Sequence, residues 1–216
     1  MDKIFSLPDK NRLLHVLIFG TLATLAFGFI YTYCNENAAS SKNLYNMYIQ
    51  WELSIPLIPW MIYPYLSLNL LFVLAIFTIK ELSAIRAYCL SIVIGAFIAG
   101  IIFYFFPGKL GFTRSTVVGY EKIFESMFSI DHPHNLFPSL HITYSSLSVW
   151  AILEQAKNKI MNYIMWVWLI LIYMSVIFVH QHHLFDILTG ALLAILIYRF
   201  FFLKIHRTTY KSLIFF

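Results

Sequence analysis

Three short segments, far apart in the chain, carry residues that could act together on an anion. In Val179-His180-Gln181-His182-His183-Leu184-Phe185-Asp186, His182 and Asp186 stand four residues apart. On a helix that spacing puts both on one face, a turn from each other. A carboxylate on one imidazole nitrogen fixes the tautomer and raises the basicity of the other. That is how a histidine becomes a nucleophile or general base. In Phe137-Pro138-Ser139-Leu140-His141, Pro then Ser ahead of an apolar run reads as a helix start with Ser139 as N-cap. A helix N-terminus offers free N–H groups and the positive end of a dipole, which suits phosphate, and His141 falls in its first turn. In Phe106-Pro107-Gly108-Lys109 through Thr113-Arg114, two cations five residues apart could hold an anionic group, Arg by its planar fork and Lys as a point charge. An anion clamp, a helix N-terminus, a His–Asp pair and a second histidine equip a pocket for attack on a phosphate ester. One histidine attacks phosphorus while the other protonates the leaving alcohol.

The elements that must position these residues follow from composition. The chain has 216 residues, 60% of them apolar or aromatic and only 12% charged. Soluble domains carry about 25% charged residues. So few charges cannot cover a soluble globule, which excludes an ordinary cytosolic enzyme, a disordered chain and a disulfide scaffold, and points to an integral membrane protein. We expect an all-α polytopic protein, one membrane domain over 1–216, with six transmembrane helices near 13–33, 60–79, 88–106, 139–155, 160–179 and 184–203. The first run exceeds the 7–15-residue core of a signal peptide, so we read it as a retained anchor. Gly95 and Gly100 in the third span allow close helix packing. The fourth, carrying Thr143, Ser145, Ser146 and Ser148, belongs in the bundle interior. Asn43 to Glu52 is expected as a short interfacial helix, and Val117 to Phe128 as an amphipathic one with Ile123, Phe124, Met127 and Phe128 facing the membrane.

Six spans put both termini on one side. With the termini inside, the inner segments hold Lys3, Lys10, Arg12, Lys80, Arg86, Lys157, Lys159, Arg199, Lys204, Arg207 and Lys211. The outer ones hold Lys42, Lys109, Arg114 and Lys122. The positive-inside rule then places the termini in the cytoplasm and the outer loop 107–138, with the three segments, on the periplasmic or extracellular face of the cytoplasmic membrane. Cys34 falls near the outer face and Cys89 near the inner one, too far apart for a disulfide. The net charge of +5 comes without a basic stripe interleaved with aromatics, so a nucleic-acid partner is not expected.

The three segments resemble, in order, the motifs of the type 2 phosphatidic acid phosphatase (PAP2) superfamily: a Lys with Arg-Pro downstream, Pro-Ser-Gly-His, and Arg followed by His-x-x-x-Asp. Residues 138–141 and 181–186 look most like the branch that includes inositol phosphorylceramide synthase-like and sphingomyelin synthase-like proteins and their bacterial relatives. The resemblance implies His182 as the nucleophile that forms a phosphohistidine, Asp186 as its orienting group and His141 as the acid for the leaving group. It implies Lys109, Arg114, Ser139 and the Leu140 N–H as phosphate ligands, with no metal and no cofactor. Three positions depart from the pattern: Ser115 stands where Pro is usual, Leu140 where Gly is, and Val176 where the third motif has Arg. The implied activity is a membrane phosphatase acting on a lipid phosphate or pyrophosphate. A lipid phosphotransferase of the synthase type is the alternative, since Val176 removes one phosphate-binding guanidinium. A non-enzymatic lipid- or metal-binding protein, the latter using His141, His182, His183 and Asp186, is the remaining one. Asp131, His132 and His134 read as ordinary loop residues.

Overall fold

The computed structural model describes residues 6–41, 43–156 and 158–207. Lys3, Lys42, Lys157 and Lys211 of the orientation count lie outside the described residues. The fold is helical: α1 (Lys10–Ala39), α2 (Ile62–Leu66), α3 (Leu68–Thr78), α4 (Leu82–Phe105), α5 (Glu121–Ile130), α6 (Leu140–Gln155), α7 (Lys159–Phe178) and α8 (Leu184–Ile197). Among the described residues there is no β-strand, only a single bridge between Tyr45 and Gly108.

Among the described residues, five helical segments are long and apolar enough to cross a membrane: Lys10–Ala39, Pro59–Thr78, Leu82–Phe105, Lys159–Phe178 and Leu184–Arg207. The second joins α2 and α3 through a break at Ser67, whose hydroxyl accepts a hydrogen bond from the Trp168 indole at 2.7 Å. α6 has 16 residues, about 24 Å by helical rise and shorter than a hydrocarbon core of about 30 Å. It packs against α3, α4, α7 and α8. Its hydroxyls need no water: Ser146 donates to the Ile142 carbonyl at 2.8 Å, Ser148 to that of Tyr144 at 2.7 Å, and Thr143 to that of Gly190 at 3.0 Å. Bonds of this kind let polar residues sit inside a bundle at little cost. The large apolar side chains left exposed, such as Leu22, Leu25 and Phe29 on α1 and Leu188, Leu192 and Ile195 on α8, stand on the outside.

Glycines set two close approaches. Gly100 of α4 lies against Ile30 of α1. A Cβ on Gly190 of α8 would come within 2.6 Å of the Ser139 carbonyl oxygen. This second approach lays the start of α6 on the first turns of α8, where the main-chain N–H of Ser139 donates to the Asp186 carbonyl at 3.0 Å.

Two local expectations fail. Residues 43–49 form no helix. Tyr45 instead pairs with the 107–109 strand-like stretch, accepting from the Lys109 N–H at 2.9 Å, and only Gln50–Ser54 makes a short 3-10 turn. The second failure concerns α5, which begins at Glu121 rather than Val117. Its apolar face turns to protein, not to the membrane: Phe124 and Met127 are buried in a cluster with Tyr65, Ile142 and Val176, and Ile123 and Phe128 pack against it. A moment shows that a helix has an apolar face, not which apolar surface covers it.

Candidate active site

His182 lies just ahead of α8, and Asp186 occupies its first turn. The chain turns sharply before them. His180 takes a left-handed conformation (φ 57°), and the main-chain N–H groups of Gln181 and His182 both donate to the Val176 carbonyl, at 3.1 and 3.0 Å. His182 is 5% exposed and Asp186 fully buried. Their contact runs from Nδ1 to Oδ2 at 3.3 Å. The same Oδ2 accepts the main-chain N–H of His183 at 2.8 Å, which fixes the carboxylate. With Nδ1 facing Asp186, Nε2 of His182 is the nitrogen left for chemistry.

His141 sits edge-on to His182, ring centroids 5.6 Å apart. Ser139 is the N-cap of α6, its hydroxyl accepting from the Ile142 N–H at 3.4 Å, and Leu140 opens the helix. The structure therefore brings His141, His182, Asp186, Ser139 and Leu140 into one place. Arg114 reaches the rim beside them: Nη2 donates to Gln181 Oε1 at 2.8 Å, and the guanidinium carbon lies 4.8 Å from the Phe128 ring centre. Burial lowers its pKa, partly offset by Asp131. Lys109 is not drawn in. It is exposed, and its ammonium makes no hydrogen bond or ion pair among the described residues; its main chain pairs with Tyr45 instead.

Three features escape the sequence reading. The first is a brace around His183. Its Nε2 accepts the Gly111 N–H at 3.0 Å, and its Nδ1 stands 3.4 Å from Glu52 Oε2. Glu52 is 1% exposed and accepts N–H groups from Ile49 at 3.0 Å and Leu184 at 2.9 Å. Tyr48 and Phe112 flank the imidazole, each at 4.7 Å. The segments carrying Lys109, Arg114 and His182 are thus tied together through one neutral ring, which burial keeps below its ordinary pKa against the pull of Asp186 and Glu52. Both nitrogens of His183 face partners of their own. Among the described residues no three His, Cys, Asp or Glu side chains converge as metal ligands.

The second feature is Asp131, which is no ordinary loop residue. Its Oδ1 accepts from the Tyr31 hydroxyl at 2.9 Å, and its Oδ2 accepts from the Tyr65 hydroxyl. Oδ2 also lies 3.6 Å from His141 Nε2. Burial alone would raise this carboxyl, but His141 and the two tyrosines outweigh it and leave the pKa below the ordinary value. Tyr31 and Tyr65 were the available signal, since a hydroxyl within an apolar run needs a partner. The third feature is a cavity of about 550 Å³ that starts at Asp131, His141 and His182. It follows α3 from Leu68 to Ile79 between apolar side chains of α1 and α4, a run of about 16 Å by helical rise.

The model of the PAP2 superfamily matches residues 84–210, more than half of the chain. The chain belongs to the PAP2 superfamily. The match spans Lys109, Arg114, Ser139, Leu140, His141, His182 and Asp186, so all three motif-like segments fall within the PAP2 region. Glu52, Tyr31 and Tyr65 lie ahead of it. Comparison with curated proteins gives no match.

Proposed function

We propose that this PAP2 protein is a phosphatase of the cytoplasmic membrane that removes phosphate from a lipid phosphate or pyrophosphate through a phosphohistidine. The observation that carries the reading is the His182–Asp186 contact, 3.3 Å at Nδ1, with His141 edge-on at 5.6 Å. Nε2 of His182 attacks phosphorus as the P–O bond to the alcohol breaks. The bonding pair leaves with the oxygen, which takes a proton from His141. Water, deprotonated by His141, then displaces the His182 nitrogen from phosphorus. Arg114, the start of α6 at Ser139 and Leu140, and Lys109 once the loop bends inward are the phosphate ligands of this scheme. The apolar cavity reaching the two histidines supports a lipid substrate, its chain along α3 and its phosphate at the rim.

In this reading α6 is a sixth crossing, completed by the polar turns at its ends. The termini face the cytoplasm and the site faces outward. A specific observation favours a second reading: Val176, fully buried, fills the place of the third-motif Arg. One cation fewer on the phosphate suits transfer to an alcohol as well as to water. The test is a panel of lipid phosphates given to the purified protein, with free phosphate and lipid products measured together. Free phosphate that is lost in His182→Ala, inhibited by vanadate and indifferent to chelators is the expected result. Lipid product without free phosphate selects the transferase. Full turnover by His182→Ala sinks both readings.

A further inference from the structure

Asp131 and His141 repeat, by another route, the relation of Asp186 to His182. Asp131 directly follows α5, ten residues before His141. Its carboxylate is held on two sides, by Tyr31 of α1 at 2.9 Å and by Tyr65 of α2, two residues before the break at Ser67. Two further contacts stiffen the arrangement. The Asn135 amide donates to the Tyr31 carbonyl at 2.8 Å, and the Tyr65 ring stacks on His141 with centroids 4.4 Å apart. The carboxylate therefore has one position, with Oδ2 3.6 Å from Nε2 of His141. No hydrogen bond is made by Nδ1 of His141 among the described residues. The two pairs differ in which nitrogen the carboxylate takes: Nδ1 in His182, Nε2 in His141.

We propose that Asp131 is the positioning residue of His141, holding its Nε2–H and stabilising the imidazolium so that the Nδ1 proton goes to the leaving oxygen. The inference rests on the phosphatase reading above. When the N–P bond to His182 forms and the P–O bond breaks, the leaving oxygen carries the electron pair and accepts the Nδ1 proton. His141 is left as the neutral Nε2–H tautomer, still facing Asp131. In the second half-reaction Nδ1 takes the proton of the attacking water, and the imidazolium is restored. Contacts of this kind are commonly long in a free enzyme and shorten when substrate arrives, which accommodates the 3.6 Å separation.

A clasp that merely anchors the α5–α6 loop would hold the tyrosines but would not care about the leaving group. The experiment uses two esters and the purified full chain: a long-chain alkyl phosphate, whose alkoxide needs a proton, and p-nitrophenyl phosphate, whose phenolate does not. Measured in the first half-reaction, as single-turnover release of the leaving group, Asp131→Asn is expected to slow the alkyl ester about 30- to 100-fold at saturation, with the half-saturating concentration within about 3-fold, and to slow the aryl ester less than about 3-fold. Equal losses on the two esters, a loss confined to the half-saturating concentration, or no loss overturns the proposal. If Asp131→Asn does not fold, Tyr31→Phe/Tyr65→Phe frees the same carboxylate without deleting it. It should show the same ester-selective loss, about 5-fold, and a uniform loss overturns the proposal there too. Wild-type protein that hydrolyses neither ester removes the phosphatase reading itself, a result distinct from a variant that fails to discriminate.

Discussion

The two histidine–carboxylate pairs at the rim are built in opposite ways. His182 and Asp186 belong to one turn, with the carboxylate fixed by the N–H of His183 at the start of α8. His141 and Asp131 belong to a helix and the loop before it, and their carboxylate is fixed by hydroxyls from two other parts of the bundle. The first pair needs only the turn ahead of α8 and that helix's first turn to be correct, His182 standing just before the His183 N-cap and Asp186 just after it. The second depends on α1, α2 and α5 all reaching their places. The difference teaches that one site can hold a robust half and a conditional half, and that the conditional half is where distant packing reaches the chemistry.

The largest expected effect breaks the local pair outright. His182→Ala should lower phosphate release by at least about 10³-fold with the fold retained, since the proposed nucleophile has no substitute. A phosphate-release assay on folded variant protein checks it. Asp186→Asn comes next. It keeps an acceptor for the His183 N–H but loses the charge on Nδ1, and kcat should fall about 10²-fold. If Asp186→Asn costs less than Asp131→Asn on an alkyl ester, the ranking of the pairs is reversed.

A third substitution attacks what the pairs share. Gly190→Val puts a branched side chain against the Ser139 carbonyl and Ile142, where even a Cβ would sit at 2.6 and 3.1 Å. Backbone cannot yield as a flexible side chain does, so α6 and α8 must part. The variant should lose about 1–3 kcal/mol of stability, measured by thermal unfolding, and should lose activity on alkyl and aryl esters alike. A stable variant with full activity would show that the two helix starts need not touch.

The smallest effect is a pH dependence of the brace. His183 titrates below its ordinary value because it is buried, as do His134 and His180. The unfolded chain begins to take up protons near its ordinary histidine pKa, about 6.5, while the buried rings stay neutral. Stability is therefore intact above that pH and falls as the pH drops below it. Unfolding temperatures from pH 7.5 to 5.5 should decline, and His183→Gln should decline less steeply. A wild-type protein more stable at pH 5.5 than at 7.5 would reverse the sign and remove the argument.

What could be read without a fold follows a physical divide. The apolar runs, the N-cap at Ser139, the packing glycine Gly100 and the four-residue spacing of His182 and Asp186 are local facts, because a helix and the turn that starts it bring residues three or four apart together. Asp131 shows the limit. Ten residues separate it from His141, and nothing in that spacing predicts contact. The Glu52–His183 brace spans 131 positions of chain and leaves no periodic trace. Even α5 illustrates the point, since its apolar face was legible and its direction was not.

By itself, then, the chain determined a helical membrane protein, three segments suited to phosphate and one preassembled His–Asp pair. Only the tertiary structure decided that Arg114 joins the rim through Gln181 while Lys109 stays outside, that Asp131 is the partner of His141, and that an apolar cavity ends at the histidines. The reason is that helix periodicity fixes neighbours within a turn, whereas contacts between helices depend on how close small residues such as Gly190 let whole elements approach.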